Sequence, residues 1–217
     1  MAKWILPYAT IEDDGLDVKA MIKKIERACR TCYRSEDKIE EGSAERLIRS
    51  CIKRGHHSIL EHGSVTFRIV CDRGVSHEIV RHRIAAYSQE STRYCNYSQE
   101  KFGNELTFIY PSWTPETPNE KSACPKWLLL QEACDRAEKL YFGMLAHGAK
   151  PEEARALLPN CLRTELVMTM NIRELRHFLK LRLSKAAHPD IRVIAAHMLD
   201  ILRVIGLGIF FEDIEVE

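Results

Sequence analysis

The sequence predicts an α+β fold in which helices cover a small antiparallel sheet. Apolar residues recur at helical spacing through most of the chain, and they alternate with polar residues between positions 64 and 70. The 217 residues are 45% hydrophobic and 29% charged, which is typical of a globular protein. Because this length approaches the upper size for one hydrophobic core, we expect a single domain over residues 1–217.

Seven segments carry apolar residues every three or four positions, the spacing that places them on one face of a helix. They are residues 16–33, 43–54, 74–83, 126–147, 151–158, 171–185 and 189–204. The most apolar stretch, 191–211, is interrupted by Arg192, His197, Asp200 and Arg203, so we do not expect it to span a membrane.

Strands are predicted by alternation. Residues 64–70 read Ser-Val-Thr-Phe-Arg-Ile-Val, a pattern that favours a strand with one buried face. Residues 4–8, 105–110 and 162–170 are further strand candidates. Four prolines between 111 and 125 predict a long loop. We interpret this loop as an insertion or lid of the single domain rather than a boundary, because candidate functional residues lie on both sides of it.

Charge is balanced over the whole chain, with 32 lysines and arginines against 31 aspartates and glutamates. A net charge of +1 creates no overall field that attracts nucleic acid or membrane, so an anionic ligand has to be held by arginines placed locally. The apolar stretch within residues 1–9 is too short for a signal peptide, which makes the cytoplasm the expected location.

The eight cysteines are expected to be free thiols, because disulfides are rare in a chain of this length without a secretion signal. Cys29 and Cys32 have the C-x-x-C spacing of redox and zinc sites, yet no second pair completes a four-ligand site. Both fall in the predicted helix 16–33, where the packing of small thiols is the simpler interpretation.

A histidine-rich segment presents His57, Glu61 and His62 in the order H-x-x-x-E-H. Zinc hydrolases use H-E-x-x-H or H-x-x-E-H to bring both histidines to one helical face. Because the spacing here is one residue too long, we predict no metal site.

The most unusual segment is 81–94, which begins Arg81-His82-Arg83 and holds three arginines, one histidine and two serines. Arginine presents a planar fork of donors that matches phosphate oxygens, and serine hydroxyls add short hydrogen bonds. A helical apolar stripe leads directly into the segment, so it emerges from packed structure. These residues alone leave two interpretations open, a phosphate site and a solvated basic helix end.

The segment 171–182 predicts an amphipathic helix that carries a charge on its apolar face. Asn171 and Glu174 have the spacing of a capping box. At about 100° per residue, positions i, i+3, i+4 and i+7 share one face. Here they are Leu175, Phe178, Leu179 and Arg182. A buried arginine is costly unless an anion meets it, so Arg182 indicates either a carboxylate partner or a bound anionic ligand.

The opposite face of this helix carries Arg173, His177 and Lys180, which could serve a second ligand. Two cationic faces on one helix suit a site where a substrate and a cofactor stack. Arg155 lies on the turn that begins at Pro151, and an exposed helix arginine is the simpler interpretation of this residue alone.

Taken together, these blocks resemble the flavin-dependent thymidylate synthase family. The family pattern of R-H-R, seven residues and serine is met by Arg81, His82, Arg83 and Ser91. Other blocks agree in order and approximate spacing, so the resemblance extends from about residue 28 to residue 191. They are Cys32-Tyr33-Arg34, Gly55-His56 with Glu61-His62, Glu153-Ala154-Arg155 with Leu158-Pro159, and residues 171–183.

The resemblance implies an enzyme that methylates dUMP to dTMP, with carbon from methylenetetrahydrofolate and a reducing hydride from tightly bound FAD that NADPH replenishes. It also implies a homotetramer whose active sites lie at subunit interfaces. By position, eight residues would contact FAD. They are Ser58, Arg81, His82, Arg83, Gln89, Asn171, Arg173 and His177.

The resemblance also implies a dUMP site built from several parts of the chain. By position, its members are Glu78, Arg81, Gln89, Glu90, Ser91, Thr92, Arg93, Arg155 and Arg182. In the family, the arginine that matches Arg182 binds the uracil ring and favours its ionised form. The resemblance therefore gives Arg182 a catalytic role, which agrees with the charge on the apolar helix face.

Two positions depart from the family pattern. Glu78 stands where the family often has glutamine, so it could instead pair with His82 one helical turn later. Residues 188–191 read His-Pro-Asp-Ile and replace a stretch that is usually richer in glutamine and tryptophan.

Two other functions are the alternatives. One is a phosphate- or nucleic-acid-binding module that uses Arg81, Arg83 and Arg93, and the other is a flavin reductase without thymidylate chemistry. A net charge of +1 disfavours the first, because such a module usually carries a strong excess of basic residues. Neither alternative explains the ordered blocks.

Overall fold

The computed structural model describes residues 2–216 and confirms a mixed architecture of helices and sheet. The strands are β1 Lys3–Ile5, β2 Tyr8–Ile11, β3 Ser64–Asp72, β4 Ala85–Gln89, β5 Thr107–Ile109 and β6 Arg163–Asn171. The α-helices are α1 Val18–Thr31, α2 Ser43–Lys53, α3 Arg73–Ile79, α4 Pro118–Ser122, α5 Pro125–Ala146, α6 Pro151–Ala154, α7 Ile172–Arg182 and α8 Pro189–Val204. Short 3-10 helices occupy Glu36–Lys38, His57–His62, Glu100–Phe102, Arg155–Leu157 and Gly208–Phe210.

The longer predicted elements are present close to their expected bounds. β6 alternates between partly exposed and buried residues along its whole length, the pattern of a strand with one face on a core. Asp17 begins α1 by accepting a hydrogen bond from the backbone N–H of Ala20, which satisfies a donor that the first helical turn leaves unpaired.

The sheet arrangement differs in part from the expectation. Four strands form one sheet in the order β2-β3-β6-β4, and β1 and β5 form a second. β1 and β5 run parallel, with Trp4 opposite Phe108, whereas we expected antiparallel pairing. The long chain segment between these two strands allows the second to start at the same end as the first, which a tight hairpin would forbid.

Proline explains two further differences. The predicted strand 4–8 is divided at Pro7 into β1 and β2, because proline has no N–H to continue a strand ladder. The predicted loop 111–125 contains α4, which begins at a capping box between Thr117 and Glu120. Pro118 in α4 and Pro125 in α5 occupy first-turn positions, where a backbone N–H would have no helical acceptor.

The region between α3 and β4 was predicted incorrectly. α3 ends at Ile79 rather than at residue 83, and β4 was not predicted. Tertiary contacts decide both, because His82 is buried and its ring contacts Glu174 and Arg182 of α7. No local pattern in the sequence requires this turn.

The chain divides into two compact units, each assembled from non-consecutive segments. Unit 1 comprises Met1–Tyr8, Val70–Ile79 and Gln89–Leu166. Its core includes Leu106, Phe108, Cys134, Tyr141 and Leu162. Unit 2 comprises Ala9–Ile69, Val80–Ser88 and Val167–Glu217. Its buried residues include Ile25, Ile48, Phe67, Leu175 and Phe178. A single domain over 1–217 stays a prediction.

The eight cysteines are free thiols, as predicted. The Sγ atoms of Cys29 and Cys51 lie 3.5 Å apart where α1 packs on α2, which fits the packing interpretation. Cys32 is exposed just beyond α1, so that interpretation does not hold for it. Among residues 2–216, no helix is both long enough and apolar enough to cross a membrane.

Candidate active site

Helix α7 carries the central residues of the site. Asn171 precedes it and accepts a hydrogen bond from the N–H of Glu174 at 2.9 Å, which confirms the predicted cap. The apolar face is confirmed as well, because Leu175, Phe178 and Leu179 are fully buried. Arg182, on the same face in the last turn, is half-buried.

The chain folds so that α7 meets the 3-10 helix His57–His62. The N–H of Ile172 donates to the carbonyl of Gly63 at 2.9 Å, which fixes the start of α7 beside that segment. A Cβ atom on Gly63 would lie 2.9 Å from Sδ of Met21. A larger residue at this position would therefore force the Met21 side chain of α1 to shift.

Arg182 contacts a buried pair of residues in unit 2. Its Nε donates to Nε2 of His82 at 3.1 Å, and Nδ1 of His82 lies 3.2 Å from Oε1 of Glu174. His82 is 5% exposed and Glu174 is 8% exposed. Only the Asn171 half of the predicted capping box is therefore confirmed. The Glu174 carboxylate contacts His82 and does not complete the box. α3 ends at Ile79, so Glu78 and His82 do not keep the helical spacing suggested for a pair.

The surroundings of His82 favour its neutral form. Burial lowers the pKa of His82 below its usual value, and the positive charge of Arg182 lowers it further, while the hydrogen bond to Glu174 acts in the opposite direction. His82 also packs edge-on against Phe178, with ring centroids 4.9 Å apart. A neutral imidazole can accept the hydrogen bond that Arg182 offers.

The other face of α7 lines a cleft of about 550 Å³ in unit 2. The cleft is lined by His57, Glu61, Ile84, Asn171, Arg173, Glu174, Arg176, His177 and Lys180. Arg173, His177 and Lys180 are exposed, which confirms that they share a face. Arg173 forms an ion pair with Glu61 across the cleft. This cationic surface adjoins the packed surroundings of Arg182, because Glu174 lines the cleft and the rings of His177 and His82 have centroids 5.7 Å apart.

The remaining residues assigned to FAD lie in different environments. Ser58 is exposed in the 3-10 helix, and Arg81 and Arg83 are exposed on either side of buried His82. Gln89 belongs to unit 1, where its amide nitrogen donates to Ser76 at 2.9 Å and to Thr164 at 3.1 Å.

The segment 89–93 forms an ordered turn in unit 1. The carbonyl of Ser91 accepts hydrogen bonds from the N–H groups of Tyr94 and Cys95 at 3.1 and 2.9 Å, and Thr92 is buried. Glu90 forms an ion pair with Arg163 and accepts a hydrogen bond from the hydroxyl of Tyr97. These contacts fix the backbone around the serine of the predicted motif.

The other members assigned to dUMP also belong to unit 1, except for Arg81 and Arg182. Arg93 forms an exposed ion pair with Glu152 at 2.9 Å, and Arg155 is exposed at the start of a 3-10 helix. Glu78 lies partly buried on α3. Both arginines are accessible to solvent.

Within residues 2–216, His82, Glu174 and His177 form a group that could hold a metal, with one ligand atom from each within 4.8 Å of the others. Both ring nitrogens of His82 already have partners, and one of these is the guanidinium of Arg182. A positive charge at that distance opposes the binding of a cation. The hydrogen-bonded interpretation of this group is therefore favoured.

Sequence reasoning missed two buried charges on α7. Glu174 was interpreted only as a capping residue. Arg176 is 3% exposed and donates to both oxygens of Asp213, and this contact together with Lys180 lowers the pKa of Asp213 well below its usual range. Neither could have been found from helical periodicity, since both partners come from distant parts of the chain.

Comparison with known proteins identifies the family. A family model described as thymidylate synthase complementing protein matches residues 17–205. The chain belongs to this family. The matched region contains the Arg81–Ser91 motif, the cleft of unit 2 and Arg182.

Relatives from this family share substantial identity with the chain. A flavin-dependent thymidylate synthase of Geobacter sulfurreducens is 33% identical over 190 residues, which cover 84% of this chain and 78% of that protein. One from Pyrococcus abyssi is 39% identical over 167 residues, which cover 76% of this chain and 65% of that protein. The chain thus spans just under two thirds of the length of the Pyrococcus relative.

Two solved structures have the same fold. The UMP/dUMP methylase PolB of Streptomyces cacaoi, bound with 5-Br dUMP, has a TM-score of 0.79 at 24% identity and covers 98% of this chain and 97% of its own. Thymidylate synthase X of Helicobacter pylori, with FAD and dUMP, has a TM-score of 0.74 at 22% identity and covers 95% of this chain and 98% of its own.

Proposed function

We propose that the protein catalyses the reductive methylation of dUMP to dTMP. Methylenetetrahydrofolate supplies the carbon, FAD is the bound cofactor, and NADPH is the reductant. The proposal rests on one observation above the others: in a member of this family, α7 presents a half-buried arginine on one face and a cationic cleft on the other. Such a helix can serve two anionic ligands at once.

The hydrogen-bond donors that line the cleft in unit 2 suit FAD. Arg173, His177 and Lys180 supply cationic donors for a diphosphate, and Ile84, which is 67% exposed, offers an apolar surface to a ring. Asn171, at the N-terminus of α7, lines the same cleft. When bound there, FAD supplies hydride-transfer chemistry. The residues of the chain bind it and orient it.

Arg182 has the role of binding and activating the pyrimidine. Its guanidinium is held at its Nε by His82, and a planar fork pairs with carbonyl oxygens in a fixed orientation. As negative charge develops on a uracil ring, a preorganised donor stabilises it more than it stabilises the starting state. Arg81, Arg93 and Arg155 are exposed cations that suit the phosphate of dUMP.

The proposal includes a cytoplasmic homotetramer with active sites at subunit interfaces. Two features support it. The balanced charge of +1 allows identical subunits to pack without strong repulsion. Several of the proposed dUMP contacts are arginines that are exposed on the chain.

The visible spectrum of the purified protein tests this function. We expect the absorption of an oxidised flavin, its bleaching by NADPH in the presence of dUMP, and dTMP formation once methylenetetrahydrofolate is added. Bleaching without dTMP would indicate a flavin reductase. A colourless protein that does not take up FAD and binds polynucleotide in a steeply salt-dependent way would indicate the nucleic-acid alternative.

Arg173→Ala should lose flavin. One charge-assisted hydrogen bond contributes about 1.5–3 kcal/mol, so the affinity for FAD should fall roughly 10- to 150-fold. Fluorescence titration of the deflavinated protein with FAD measures this loss. Arg49→Ala is a matched control, because the Arg49 side chain is 52% exposed and pairs with Glu212, whereas that of Arg173 is 54% exposed and pairs with Glu61. Equal FAD affinity in the two variants would contradict the assignment.

No cysteine is expected to act as the nucleophile. Cys95 lies beside the proposed dUMP segment, but burial raises the pKa of its thiol. Cys161 is the stricter case, because a hydrogen bond from Cys134, with the Sγ atoms 3.3 Å apart, lowers its pKa. Cys95→Ala and Cys161→Ala should both keep most of the dTMP formation of wild type. Complete loss of turnover in either variant, with an unchanged circular dichroism spectrum, would refute the thiol-free mechanism.

A further inference from the structure

Three side chains of unit 2 form a linear chain of contacts that ends at the proposed pyrimidine-binding arginine. Glu174 meets Nδ1 of His82 at 3.2 Å, and Nε2 of His82 meets Nε of Arg182 at 3.1 Å. Glu174 and Arg182 lie two turns apart on α7, and His82 lies between them. Because the imidazole is bonded to both groups, it can pass the influence of the carboxylate to Arg182.

The directions of these hydrogen bonds fix the tautomer of His82. The Nε–H of arginine is always a donor, so Nε2 of His82 has to be the acceptor and carries no proton. In the neutral ring the proton is then on Nδ1, which donates to Glu174. Without an acceptor at Nδ1, the ring is free to place its proton on Nε2, where it would point at the Arg182 donor.

We infer that Glu174 is a positioning residue that holds His82 as the Nδ1–H tautomer and thereby fixes the Arg182 guanidinium for its ligand. The expected effect on the affinity for dUMP rests on the proposed function. The tautomer of His82 does not, because it is a property of the chain alone. The same logic governs metal-binding histidines, where a carboxylate behind the ring sets which nitrogen is available in front.

The contact between His82 and Arg182 depends on pH. The charged and titratable groups that face His82 are Glu174, Arg182 and His177 from α7, and the Tyr87 hydroxyl, which donates to its carbonyl. The pKa of His82 is lower in the folded state than in the unfolded chain. The neutral ring therefore contributes fully to the stability of the fold above the ordinary histidine pKa. This contribution is lost as the pH falls through the folded pKa. Below that point Nε2 is protonated and can no longer accept from Arg182.

Two substitutions of Glu174 separate the effect of losing the hydrogen-bond acceptor from the effect of changing the side-chain volume. Glu174→Met keeps a long, helix-favouring side chain but offers Nδ1 no strong acceptor. Glu174→Gln keeps a carbonyl oxygen that can still accept from Nδ1–H. Asp213→Asn is the control for a general loosening of α7, because Asp213 binds Arg176 and Lys180 on the same helix. Within residues 2–216, no hydrogen bond joins Asp213 to His82.

The first measurement needs no ligand. Long-range ¹⁵N–¹H spectra of the histidine-labelled protein report the tautomer of each ring, and His82→Asn assigns the signal. We expect the Nδ1–H form in wild type, in Glu174→Gln and in Asp213→Asn, and its loss in Glu174→Met. An Nε2–H form in wild type, or an unchanged His82 in Glu174→Met, would overturn the inference whatever the protein binds.

The second measurement is a double-mutant cycle on the calorimetric Kd for dUMP, using the protein as purified. Glu174→Met should weaken binding roughly tenfold in the wild-type background and by much less in the Arg182→Ala background, because the two act in series. Glu174→Gln should restore most of the affinity. An equal loss in both backgrounds would overturn positioning through Arg182. No dUMP binding by wild type, with the expected tautomers, would refute the proposed function and leave the orientation of His82 standing.

Discussion

Arg182→Lys should lower the turnover number for dTMP formation by about 10²–10³. Lysine keeps the positive charge but replaces the planar fork with a single ammonium group, so it cannot donate to His82 and to a ring carbonyl in one fixed plane. Charge develops on the pyrimidine as its C5 becomes nucleophilic, and a donor aimed at that charge acts mainly in the transition state. Steady-state kinetics should therefore show a larger change in kcat than in KM for dUMP.

A matched control separates this effect from the general cost of an arginine-to-lysine change. Arg203 lies on α8, its side chain is partly exposed, and it donates to the carbonyl of Ile214. Arg203→Lys should turn over close to the wild-type rate. If Arg182→Lys did so as well, a role for the planar fork would be excluded, and Arg182 would be a binding charge only.

Mixing two inactive variants should restore activity if each active site takes Arg81 and Arg182 from different subunits. Arg81→Ala and Arg182→Ala homotetramers should each be nearly inactive. In tetramers reassembled from equal amounts, about a quarter of the sites would receive both intact arginines by chance, so about a quarter of the wild-type rate should return. Arg81 is exposed beside buried His82, which leaves it available to another copy of the chain.

The assembly of the mixed tetramers has to be verified independently. Different affinity tags on the two variants allow tandem purification of tetramers that contain both. Each variant taken alone through unfolding and reassembly provides the background rate. If verified mixed tetramers are as inactive as their parents, Arg81 and Arg182 of one site belong to the same chain.

Helix α7 shows what periodicity can predict. The prediction that Leu175, Phe178 and Leu179 are buried, with Arg182 on their face, followed from a spacing that depends only on helix geometry. The cap at Asn171 was equally predictable, because it acts over three residues. Interactions over so few residues can be predicted from a short segment of sequence.

Other elements could not be predicted in this way. The end of α3 at Ile79 and the strand β4 depend on the burial of His82, whose partners lie about a hundred residues away on α7. Parallel pairing of β1 with β5 depends on where a long intervening segment returns the chain. Apolar spacing contains no information on either.

The sequence by itself determined the family blocks, the helices of unit 2 and the presence of a charge on the apolar face of α7. It left open whether that charge meets a carboxylate or a ligand. The tertiary structure decided that Arg182 donates to an uncharged imidazole, which is in turn held by Glu174. The reason is physical: a hydrogen bond requires two groups within about 3 Å in a defined direction. Residues 82, 174 and 182 reach that geometry only when the segment after α3 packs against α7.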